Sequence, residues 1–79
     1  MEKKEMVNHP AHYQSKAGIE VIDVMEAFTE NLSGAEAVNT SQVIKYILRW
    51  KEKDNPLQDL NKCKWYLERL IKHVEKESD

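Results

Sequence analysis

Glycine is scarce in this chain: only Gly18 and Gly34 occur in 79 residues. Neither opens a GxxxxGKS/T or GxGxxG pattern, which excludes a phosphate loop or dinucleotide turn of the usual kind. No nucleophile elbow is present. Cysteine is scarcer still, with Cys63 alone, so no disulfide can form within the chain. A lone thiol on a helical apolar seam reads as a small hydrophobe and suits a reducing compartment. No apolar run approaches bilayer-spanning length. The start, MEKKEMVNHP, lacks the apolar stretch of a secretory leader, so a cytoplasmic location is expected. There is no positive excess either: the formal net charge is −2, which argues against general binding to nucleic-acid backbones.

What remains is a strongly amphipathic chain, 33% charged and 41% apolar. This length makes one domain, over 1–79, and a core that is marginal alone. Self-association into a homo-oligomer is the expected remedy. Residues 1–18 carry His9-Pro10 and Gly18 and read as an extended arm, with a helical core over 19–77. Ile22, Met25 and Phe28 define a short helix over about 19–29. A strand at IEVIDV is the alternative, disfavoured because strict alternation is missing. Ser33 and Glu36 form a capping box, and Asn39-Thr40-Ser41 offers a second cap. A short helix over 34–38 followed by a longer one over about 40–53 satisfies both; one continuous helix from 34 is the alternative. Val43, Ile47 and Trp50 form the stripe of the longer helix. Asp54-Asn55-Pro56 then stops and restarts the chain. The last helix, over about 56–76, carries the seam Leu57, Leu60, Cys63, Leu67, Leu70 and Val74. The short connection makes the two long helices an antiparallel αα-hairpin, so the fold class is all-α.

Two polar rows accompany the apolar seams. Lys45, Arg49 and Lys53 recur every four residues, and Asp59, Lys62, Tyr66, Arg69 and His73 recur at three and four. Such spacings place side chains on one helical face. A cationic face bordered by aromatics suits a flat anion such as a nucleotide. Arg49 offers a bidentate fork for phosphate, and Lys45, Lys53, Lys62 and Arg69 add charge. Tyr46 and Tyr66 are candidates for stacking on a base, whereas Trp50 and Trp65 read as core or interface packing. The alternative for the basic row is a solvated face paired with neighbouring carboxylates. If Lys45 and Arg49 both turn from every cavity onto such carboxylates, the phosphate reading fails.

The arm adds Asn8, His9, His12 and Tyr13, which can fold over the groove and hydrogen-bond a phosphate or base; packing of Tyr13 on the core is the alternative. Two histidines alone do not make a zinc site, which needs a third protein ligand. Glu20, Asp23 and Glu26 are weak candidates for Mg²⁺, because a spacing of three does not hold all of them on one face. No metal or cofactor is certain from these residues.

Several segments in order, Asn8-His9-Pro10-Ala11-His12-Tyr13, Gly18 to Val24, Ile44 to Arg49, Lys53 to Pro56 with Asp59-Leu60, and Trp65-Tyr66-Leu67, resemble the small phage and prophage family called SaV-like or DUF3310. The resemblance covers roughly 7–71. It implies a phage protein acting in the cytoplasm of the infected host. It also implies nucleotide handling, because a longer coliphage relative is described as a nucleotide kinase without a standard phosphate loop. Three expectations follow. The first is a non-catalytic binder of a phosphorylated small molecule, held in a basic helical groove or subunit interface and able to sequester a host nucleotide signal. The second is a Mg²⁺-dependent nucleotide kinase using Glu20 or Asp23, and Mg²⁺ enters only if this kinase reading holds. The third is an interaction module for a host protein.

Overall fold

The computed structural model describes residues 18–52 and 54–78. Every element among them is helical, in the order α1 (Val21–Thr29), α2 (Gly34–Arg49), a 3₁₀ turn (Trp50–Glu52) and α3 (Pro56–Ser78). The expected all-α fold with a helical hairpin is what forms. The extended arm expected over 1–18 lies, apart from Gly18, outside the described residues.

Each boundary has a local cause. Glu20 is extended at φ −90°, ψ 142°, and its carbonyl accepts from the Asp23 and Val24 amides at 3.0 and 3.3 Å. Asp23 in the first turn favours the positive end of the α1 dipole. Thr29 Oγ1 donates to the Met25 carbonyl at 2.7 Å, and the Leu32 amide closes a turn onto the Thr29 carbonyl at 2.9 Å. Ser33 is the N-cap residue of α2, but its hydroxyl makes no capping hydrogen bond. Gly34 then takes φ +57°, a left-handed value that side chains with a Cβ disfavour.

α2 is one continuous helix, which corrects the expected break near residue 38. Asn39 and Ser41, candidate caps in the sequence, turn their side chains backwards instead. Asn39 Nδ2 donates to the Ala35 carbonyl at 2.8 Å and Ser41 Oγ to the Val38 carbonyl at 2.8 Å. Such bonds to the preceding turn leave the helix intact. The α-helical path ends at Arg49, earlier than the expected Lys53, and tightens into the 3₁₀ turn. α3 starts as expected, with Pro56 first and Asn55 Oδ1 accepting from the Gln58 amide at 3.1 Å.

α2 and α3 pack antiparallel in a register fixed by four contacts. His73 meets Glu36 at 3.5 Å, Tyr66 stacks on Tyr46 with centroids 6.0 Å apart, Cys63 Sγ donates to the Val43 carbonyl at 3.6 Å, and Asp59 meets Arg49 at 3.5 Å. This corrects the expected packing. The apolar seams are only partly inside: Cys63 is buried, but Ile47, Leu57 and Val74 are all 46% exposed or more. Advancing by 100° per residue, each helix is rolled roughly 70° from its seam. The roll works because the inward charges neutralise one another across the interface and the tyrosine rings fill it. No described side chain is fully buried.

Candidate functional site

Tyr46 is the hub of the hairpin. Its ring is buried, only 8% of the residue being exposed, and Tyr66 lies on it with planes 13° apart. Three cations surround the same ring: Lys45 Nζ at 4.8 Å, Arg49 Cζ at 5.1 Å and Lys62 Nζ at 5.7 Å from its centroid. The ring quadrupole attracts each of them. Among the described residues, one carboxylate answers this charge: Asp59, 3.5 Å from Arg49 Nε, with both side chains under a tenth exposed. Lys45 and Lys62 pair with no carboxylate among the described residues. Counted over the described residues, the cluster is therefore net positive.

On α3 the positive charge continues outward. Trp65 is 54% exposed, packs edge-on against Tyr66 at 4.9 Å, and carries Arg69 Cζ at 5.1 Å from its ring centroid. Lys62, Trp65 and Arg69 stand three and four apart and share one face. Open depressions flank Trp65. One, of about 510 Å³, is lined by Asn55, Gln58, Asn61 and Lys62 among others. The other, of about 440 Å³, lies between α2 and α3 against Asn39, Tyr66 and Arg69.

The residues expected from the sequence divide accordingly. Lys45, Lys62 and Arg69 stand beside the aromatic cluster. Arg49 lines none of the depressions formed by the described residues alone: it is 6% exposed and turned onto Asp59. Lys45 lies over a ring instead. Tyr46 has almost no free face, whereas Tyr66 lines the second depression. Trp65, read as core or interface packing, is 54% exposed within the chain. Its position between Lys62 and Arg69 was the signal in the sequence. Lys53, Asn8, His9, His12 and Tyr13 lie outside the described residues.

Metal-ligating geometry occurs elsewhere. Among the described residues Glu20 and Asp23 join no group of three donors, whereas Glu36, His73 and Glu77 bring theirs within 4.8 Å of one another. Cys63 is buried against α2, and loss of solvent pushes its thiol pKa up, which weakens it as a nucleophile at neutral pH.

The family model for DUF3310, described as a protein of unknown function, matches residues 7–68. No curated protein and no solved structure matches the chain. No described helix is long and apolar enough to cross a membrane.

Proposed function

The chain belongs to the DUF3310 family, and we propose that it binds a nucleotide or similar phosphorylated aromatic molecule along the Lys62–Trp65–Arg69 ridge of α3. The observation that carries this is the exposed Trp65 with Arg69 on its ring and depressions on both sides. The base stacks on Trp65 or Tyr66, and Lys62 and Arg69 hold the phosphate, with Lys45 adding charge from α2. Arg49 acts indirectly, by fixing the hairpin. The ligand is held and not consumed, which suits sequestration of a host nucleotide signal.

Base stacking on an aromatic contributes ~1–3 kcal/mol, so Trp65→Ala should weaken binding about fivefold to 150-fold. Calorimetric titration of the parent and Trp65→Ala chains with nucleoside mono-, di- and cyclic phosphates tests this, and tryptophan fluorescence in a Trp50→Phe background, with Trp65 as the reporter, gives a second readout. Quenching that saturates and that Lys62→Gln with Arg69→Gln abolishes supports the ridge. A full panel without saturable quenching overturns it. Recovery of unaltered nucleotide after incubation with Mg²⁺ separates this reading from the kinase one.

The exposed apolar residues support self-association in addition. Leu67, Ile71 and Val74 are 43–50% exposed in a row on α3 and, with Leu70, line a depression of about 320 Å³. A homo-oligomer would cover them.

A further inference from the structure

We propose that Glu36, His73 and Glu77 bind a first-row divalent transition ion, Zn²⁺ above all, bridging the start of α2 to the end of α3. His73 Nε2 is 3.5 Å from Glu36 Oε2 and 3.4 Å from Glu77 Oε2. A tetrahedral zinc with ligand bonds of ~2.0–2.1 Å has ligand–ligand edges of ~3.3–3.4 Å. The two nitrogen–oxygen separations are thus within about 0.2 Å of those edges before any ion is added, and the third, oxygen–oxygen edge lies within 4.8 Å, so binding draws the two carboxylates together.

Within the protein His73 serves one of the two carboxylates at a time, and solvent serves the other, since Glu36 and Glu77 are 38% and 61% exposed. One imidazole nitrogen carries at most one proton, yet two carboxylates converge on it and repel each other. A dication in their midst satisfies both carboxylates and takes the nitrogen lone pair. The scaffold is also suitable. His73 and Glu77 are one turn apart on the same helical face, the spacing by which helices present paired ligands. Glu36 enters from the opposite helix. It forgoes the local role its sequence position offers, because Ser33 caps without a side-chain bond and the Glu36 carboxylate reaches across to His73 instead.

Three protein ligands leave a fourth position for water or a ligand oxygen. The side chains are 31%, 38% and 61% exposed, so an ion can enter from solvent. Mixed imidazole and carboxylate donors favour Zn²⁺, Ni²⁺ or Cu²⁺ over Mg²⁺ and Ca²⁺, which take oxygen. This centre is distinct from the Arg49–Asp59 end of the hairpin: Asp59 and His73 are ~21 Å apart along α3.

The test uses the whole chain, stripped with a chelator and titrated with Zn²⁺ by calorimetry and with Co²⁺ by visible absorption. One ion per chain is expected, with the intense d–d bands of a tetrahedral Co²⁺ site and a higher melting temperature. His73→Gln and Glu36→Gln should each lower affinity at least tenfold, while Glu75→Gln leaves it unchanged. Glu77→Gln, at the most exposed donor, keeps the test readable if His73→Gln fails to fold. Absence of binding at millimolar Zn²⁺ overturns the proposal. So does binding that survives the Glu36 and Glu77 substitutions, since the ion would then sit elsewhere.

Discussion

Replacing Asp59 with Asn removes one charge from a pair whose side chains are 8% and 5% exposed and whose atoms lie 3.5 Å apart. At an effective dielectric constant of ~20, unit charges at that distance attract by about 5 kcal/mol. Desolvation of both groups offsets most of this in the intact pair, so the pair contributes little net stability. Removal of the carboxylate is different, because the cost of burying the Arg49 guanidinium stays while its attraction to Asp59 goes. The expected loss is about 3–5 kcal/mol. A domain of this size is stable by roughly 4–12 kcal/mol in total, so Asp59→Asn should lower the melting temperature by at least ~12 °C and leave part of the chain unfolded. Urea unfolding followed by far-ultraviolet circular dichroism measures it, at one fixed protein concentration because self-association would add to stability. Arg49→Met combined with Asp59→Leu removes both charges and fills their space; it should return stability to within ~1 kcal/mol of the parent. An Asp59→Asn variant within ~1 kcal/mol of the parent would refute the reasoning, as would a double variant no better than the single one.

Other outcomes follow from the same coordinates. Gly34→Ala places a Cβ at φ +57° in open space, so only backbone strain acts, and a loss of ~1–2 kcal/mol is expected by urea unfolding; an unchanged midpoint would contradict that backbone. Native Cys63 should react with iodoacetamide far more slowly than the urea-unfolded chain, because its thiol pKa is raised by burial. The pH effect has a definite sign. The unfolded thiol ionises first, so the unfolded state binds fewer protons there and stability falls as pH rises through the thiol range. That loss should vanish in Cys63→Ala, and a loss that persists would assign it to another group.

The sequence made the all-α class, the hairpin and the restart at Pro56 legible, because caps and breakers act locally. Asn55 capping the Gln58 amide is a three-residue event. The faces were harder. Leu57, Leu67 and Val74 outnumber the polar row in apolar area, so periodicity pointed the seam inward. What turned the helices was a set of matches between distant residues: Arg49 with Asp59, Tyr46 with Tyr66, and Glu36 with His73. None of these is visible until the hairpin register is known. The capping box failed for the same reason, since Glu36 had a remote partner competing with its local one. Trp65, read as core or interface packing, is 54% exposed within the chain, because at 100° per residue it lies well off the face of α3 that meets α2.

That roll has a consequence for how the proposed binding and self-association would coexist. With 100° per residue, α3 divides into three sectors. Asp59, Cys63, Tyr66, Leu70 and His73 centre on the direction facing α2. Lys62, Trp65 and Arg69 centre roughly 90° to one side, and Leu67, Ile71 and Val74 roughly 90° to the other. The proposed ligand ridge and the apolar stripe therefore point in nearly opposite directions. A second copy docked on the stripe would leave the ridge open, so the two activities should be independent. Ile71→Glu puts a charge in the middle of the stripe and should shift the mass measured by light scattering toward the monomer, while nucleotide affinity changes by less than about twofold. Coupled losses, with affinity falling as the oligomer dissociates, would instead place the ligand between subunits and refute the sector argument.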